Sequence, residues 1–192
     1  MVSASSSEDD LSLAALNLVS PLCWSLTTIF TVTAIGATAI VARRIGENQQ
    51  LKAATATSTA LVLALGVGSL VTLLGWFGRA AGIDWLEGQV AGGQAVSSEQ
   101  IAQLADGYLK WFVLLFPIRA LAVTLEATLR GAGSSLLPLL GGVLANLANI
   151  LGNAALLFGL WGAPKMGLEG VGLATGLAPL VEVVLILAVI LM

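Results

Sequence analysis

Apolar residues run along this chain in long unbroken blocks, not in the short alternation of half-buried strands. Five blocks stand out, at about 13–42, 52–77, 108–129, 136–160 and 168–192. Each is near or above the ~20 residues that cross a bilayer as a helix. The ~10-residue alternating segments of a membrane β-barrel are absent. Polar residues collect between the blocks, in "RRIGENQQ" after the first, "RGAGSS" after the third and "WGAPKMGLEG" after the fourth. The pattern predicts an all-α polytopic membrane protein with five transmembrane helices in one domain, residues 1–192. Residues 78–107 read as a loop of mixed polarity. Within it "SSEQIAQLADGYL" predicts a helix start, with Ser97 or Ser98 as N-cap and acids in the early turns.

Composition sharpens this picture. The 192 residues are 57% hydrophobic and 10% charged, against about 25% charged in a soluble domain. Mean hydropathy is +0.96. No histidine is present, which excludes imidazole metal sites and Ser-His-Asp chemistry. A single cysteine, Cys23, rules out an internal disulfide and a Cys-based zinc site. "GENQQ" and "RGAG" lack the strand context of a phosphate loop. Neither an enzyme nor a nucleic-acid-binding protein is expected. Arg43, Arg44, Lys52 and Arg130 flank one set of block ends; Arg79, Lys110 and Lys165 flank the other, among acids. The basic excess makes the first set cytoplasmic. The acidic start "MVSASSSEDD" lacks the basic region of a signal peptide. The final run "VEVVLILAVILM" carries no polar flank. Both ends read as cut, so a longer membrane protein is expected around this chain; the alternative is a complete five-helix protein.

Polar groups inside the blocks are the candidate chemistry. Asn146, Asn149 and Asn153 are spaced three and four apart, which sets them on one helix face. Each needs a partner in hydrocarbon, either across a helix interface or in a polar cavity. Glu182 lies about fourteen residues into the last block, where a carboxylate marks a functional site by default; it is either protonated or paired with Arg119. Arg119, after Pro117, pairs with Glu126 or lines a cavity. Glu126 and Arg130 are four apart in the favourable order and read as a structural pair. Thr27, Thr31 and Thr38 share a face, and Gly172-x-x-x-Gly176 is a close-packing motif. Trp76, Phe77, Trp85, Trp111 and Trp161 sit near block ends as interfacial anchors.

Three landmarks in order carry a resemblance: "TAIVARRIGENQQLKAA" at 38–54, "LEATLRGAGSSLLPLL" at 125–140 and "NILGNAALLFGLWGAPKMGLEGVGLAT" at 149–175. Over roughly 10–190 the chain resembles the multidrug and toxic compound extrusion (MATE) transporters, and specifically helices two to six of their N-terminal lobe. The resemblance implies secondary active antiport. Organic cations, drugs or amphiphilic metabolites would leave in exchange for Na⁺ or H⁺, with no cofactor. The partners it implies are a small organic xenobiotic or metabolite, the lipid bilayer, and a first helix and second lobe that this sequence does not contain. Asn149 and Asn153 match the family's fifth-helix cavity pair, with neutral Asn153 where some members have Asp; Thr175 matches a sixth-helix cavity residue. Arg119 and Glu182 join them as cavity candidates, while Asn146, Glu126, Arg130, Gly131 and Gly133 are assigned structural roles. The chain is expected in a multi-pass membrane location, the cell membrane or an organelle's. Other readings are a related lipid-linked flippase, and a non-transporting scaffold or truncated product.

Overall fold

The computed structural model describes residues 2–90 and 95–191, with side chains from Asp10 onward except at 80, 86, 87, 89, 90, 95–98 and 191. Six α-helices account for almost all of this: α1 (Val2–Gly46), α2 (Gln50–Val90), α3 (Ala95–Leu114), α4 (Phe116–Gly131), α5 (Leu136–Phe158) and α6 (Leu168–Leu191). Four helices are long and apolar enough to cross a membrane, and a fifth span results if α3 and α4, bent by 52° at Leu115, are taken together. The fold is all-α and multi-pass.

Residues 78–107, read above as a loop, are largely helix. α2 continues to Val90 and α3 begins at Ala95, ahead of the expected start; the Ser97 and Ser98 side chains lie outside the described residues. No proline interrupts this stretch, and Arg, Ala, Leu, Glu and Gln are good helix formers. Its mixed polarity reflects an end of the bundle, not loss of helix.

The turns have local causes. Between α1 and α2, Asn48 adopts φ 56°, a conformation that asparagine tolerates. Arg43 and Arg44 both donate to Glu47, at 2.8 and 3.0 Å. The bond from Arg43 holds the exposed Glu47 carboxyl below its ordinary value. Between α4 and α5, Gly133 takes φ +87° while the Ser134 amide donates to the Leu129 carbonyl.

The break at Leu115 follows from Pro117. Proline has no amide hydrogen, so the Val113 carbonyl four residues back loses its helical partner. The Thr72 hydroxyl, from α2, donates to that carbonyl at 2.9 Å. One helix thus repairs the backbone of another.

α4 lies at the centre, against α1, α2 and α6. Phe30 and Phe116 are fully buried there, with ring centroids 5.0 Å apart. Small residues let the backbones approach, as expected where lipid gives no hydrophobic drive between helices. A Cβ on Gly131 would sit 2.6 Å from the Thr38 carbonyl oxygen, and one on Gly172 would sit 2.5 Å from that of Tyr108. The Thr38 hydroxyl also donates to the Ala127 carbonyl at 2.9 Å. Gly131 and Thr38 therefore bind α4 to α1. Large apolar side chains face outward instead, Leu51 at 86% and Phe77 at 81% exposure, as a lipid-facing surface requires.

Candidate functional site

A cavity of about 260 Å³ opens between α4, α5 and α6. Arg119 and Glu126 enter it from α4, Asn146 and Asn149 from α5, and Thr175 and Glu182 from α6. Two seven-residue steps, 119 to 126 and 175 to 182, place two polar groups each on one face of α4 and of α6.

The amides form a chain. Asn153 Nδ2 donates to Asn149 Oδ1 at 3.1 Å, and Asn149 Nδ2 donates to Thr175 Oγ1 at 3.2 Å. This joins α5 to α6 through three polar side chains. Asn153 Oδ1 is buried and has no hydrogen-bond partner among the described residues. Pro179 lines the same cavity and leaves the Thr175 carbonyl without its usual amide. Acceptor oxygens therefore concentrate around Thr175.

Glu182 is 4% exposed. Its side chain lies over Gly141 of α5, where a Cβ would come within 2.9 Å of Glu182 Cγ. It shares the cavity with Glu126, and its Oε1 is buried without a hydrogen-bond partner among the described residues. Glu126 is anchored by Arg130, whose Nη1 donates to its Oε2 at 2.8 Å. Arg119 Nε is likewise buried and unpartnered. Among the described residues no ion pair joins Arg119 to Glu182 or to Glu126.

The structure thus brings Asn149, Thr175, Glu182 and Arg119 into one cavity and ties Asn153 to it through Asn149. It also places there two residues to which the sequence assigned structural roles. Asn146 lines the cavity, and its side chain makes no hydrogen bond to another helix among the described residues. Glu126 keeps its structural partner Arg130 and lines the same cavity as Glu182. A further cavity of about 260 Å³ shares Arg119 and Thr175 with the first and adds Cys23 from α1 and Tyr108 from α3. Neither was singled out from the sequence for a site; a cysteine and a tyrosine in apolar blocks carry no signal of their own.

At the far end of the bundle Trp111 also makes a polar contact between helices. Its Nε1 donates to Glu169 Oε1 at 2.8 Å, beside Lys110 at 3.3 Å from the same oxygen. Trp85 and Trp161 are 60% and 74% exposed.

Comparison with known proteins bears on what such a bundle belongs to. A family model described as MatE matches residues 1–155. The chain is 34% identical over 164 residues to the multidrug resistance protein PmpM of Pseudomonas aeruginosa, an alignment covering 85% of this chain and 32% of that protein. It is 24% identical over 165 residues to the probable multidrug resistance protein NorM of Thermotoga maritima, covering 85% and 33%. Among solved structures, an inward-facing multidrug resistance MATE family transporter superposes with a TM-score of 0.79 at 22% identity, over 92% of this chain and 37% of that one. A transporter of the MOP superfamily from Pyrococcus furiosus superposes with a TM-score of 0.77 at 24% identity, over 92% and 36%. The chain spans about a third of the length of the curated relatives it matches.

Proposed function

The chain belongs to the MatE family of membrane transporters, and from that premise we propose that it forms part of the N-terminal lobe of a cation-coupled efflux antiporter. It works within a longer protein that supplies a helix before α1 and a second lobe. The substrate is a small organic cation or amphiphile, and the coupling ion is H⁺ or Na⁺. Asn149 and Thr175 line the polar cavity that both compete for, Asn153 supports it through Asn149, and Arg119 and Glu182 are its ionisable members.

The supporting observation is the relay Asn153–Asn149–Thr175 opening on a cavity that holds an unpartnered buried carboxyl oxygen. Such groups are costly in hydrocarbon. Helix packing alone accounts for the amide bonds, but it leaves Glu182 and Arg119 each with an orphaned atom. Water or a polar ligand with both donor and acceptor groups in the cavity satisfies both. Alternating access then exposes the cavity to either side in turn.

The test is expression of the complete reading frame containing this sequence in a host stripped of its own efflux pumps. Accumulation of a cationic fluorescent dye is expected to fall, and to rise again when the ion gradient is collapsed. Dye accumulation equal to that of the empty host would overturn the reading.

A further inference from the structure

We infer that Glu126 and Glu182 form a carboxyl pair that holds a single proton between α4 and α6, and that loss of this proton moves Glu182 from Glu126 to Arg119. The inference rests on the efflux reading and deepens it by naming the coupling ion and the groups that carry it. These lie about one to two helical turns from the asparagine relay.

The geometry supplies the parts. Glu182 is fixed over Gly141 and is 4% exposed. Glu126 is held by Arg130 at 2.8 Å. Both carboxyls line one cavity of about 260 Å³; as two carboxylates they repel one another, and one proton between them turns repulsion into a hydrogen bond. The charged and titratable groups that line the cavity with Glu182 are Glu126 and Arg119 of α4, with Arg130 paired to Glu126 behind them. α5 contributes the neutral amides Asn146 and Asn149. α6 has no other charge between residues 170 and 190. Beyond Arg119, Tyr108 of α3 and Cys23 of α1 face the adjoining cavity.

A metal ion suits this site poorly. Among the described residues Glu126 and Glu182 are the only carboxylates that line it. The two guanidinium groups add positive charge where a metal cation would need more anionic oxygen. A proton needs only the pair.

The proton step breaks one O–H bond of the Glu182 carboxyl and passes the proton to water in the cavity. The new carboxylate is repelled by Glu126. Arg119, with its buried unpartnered Nε in the same cavity, supplies the countercharge. Pro179 lies three residues before Glu182, where α6 lacks a backbone hydrogen bond and bends most easily. Thr175, the end of the asparagine relay, lies on the other side of that point. Deprotonation at Glu182 and the state of the relay are thereby linked through one segment of α6.

The experiment uses the full-length transporter in proteoliposomes, with the wild type, E182Q, E126Q and E169Q. Apparent affinity for a cationic dye is measured against pH in the absence of Na⁺. One linked proton allows up to about a tenfold change per pH unit. That dependence is expected in the wild type and E169Q and is expected to be flat in E182Q. Infrared spectroscopy on the same membranes reads the pair directly. A protonated-carboxyl band that titrates with pH is expected in the wild type, displaced in E126Q and lost in E182Q. An E182Q protein that keeps the wild-type pH dependence and the band would overturn the proposal, as would an untitrating band in the wild type. If no dye is moved by any protein, the efflux reading fails, and the infrared result still decides for or against the carboxyl pair.

Discussion

Asn149 is the middle of the relay, donating to Thr175 and accepting from Asn153. Asn149→Ala removes both bonds and leaves Thr175 and Asn153 without them. An orphaned buried polar group costs about 1–3 kcal/mol. Dye efflux is expected to need roughly five- to a hundredfold more substrate for half-maximal rate, on the scale of tenfold per 1.4 kcal/mol. A transport assay on membrane vesicles checks this, and an unchanged concentration dependence would place the relay outside the cavity's function. Gly131 makes a different kind of demand. Its missing Cβ would meet the Thr38 carbonyl at 2.6 Å, so Gly131→Ala is expected to destabilise by about 1–3 kcal/mol, seen as a lower midpoint of thermal unfolding in detergent. At this scale the asparagine stripe was legible from spacing alone, because three amides in hydrocarbon are hard to overlook. Glu126 was not. Its local pairing with Arg130 explained it completely within one helix, and only the approach of α6 gives it a second neighbour.

The bent pair α3–α4 is the element whose form depends most on another. Pro117 opens the backbone at Val113, and Thr72 of α2 closes it. Thr72→Val is expected to cost about 1–3 kcal/mol, because the Val113 carbonyl then has no donor. In a Pro117→Ala background the helix can supply its own amide. There the same substitution is expected to cost less than about 0.5 kcal/mol, the range within which independent sites add. A double-mutant cycle on thermal unfolding measures the difference, and equal costs in both backgrounds would mean that Thr72 does not serve the break. The sequence showed the proline but not its partner, since the threonine lies on a separate helix and no spacing rule joins them. The 78–107 stretch was misread for a related reason. Polar residues there suit a bundle end in contact with water, and polarity alone does not separate such a helix from a loop.

For the whole molecule, the apolar blocks made the fold class plain, because water cannot cover so much hydrocarbon. The structure adds how the ends correspond. Arg43, Arg44 and Lys52 flank the α1–α2 turn and Arg130 ends α4, and the contact of Gly131 with Thr38 brings these turns to the same side. Arg79 with Asp106, and Lys110 with Glu169, form ion pairs towards the other. From the basic excess we expect the first side to be cytoplasmic. With the buried Cys23 replaced by alanine, Ser135→Cys is expected to react with an impermeant thiol reagent only from the cytoplasm, and Lys165→Cys only from outside. Labelling with reversed sidedness would invert the orientation. The repair of the α3–α4 break by α2 also has a place in time. Thr72 precedes Val113 by 41 residues, and ribosomes add about 5–20 residues per second. By that rate the hydroxyl leaves the ribosome roughly 2–8 s ahead of the carbonyl it will meet. The chain therefore makes the donor before the backbone that needs it, and α4 can enter the bilayer with its broken turn met by a helix already there.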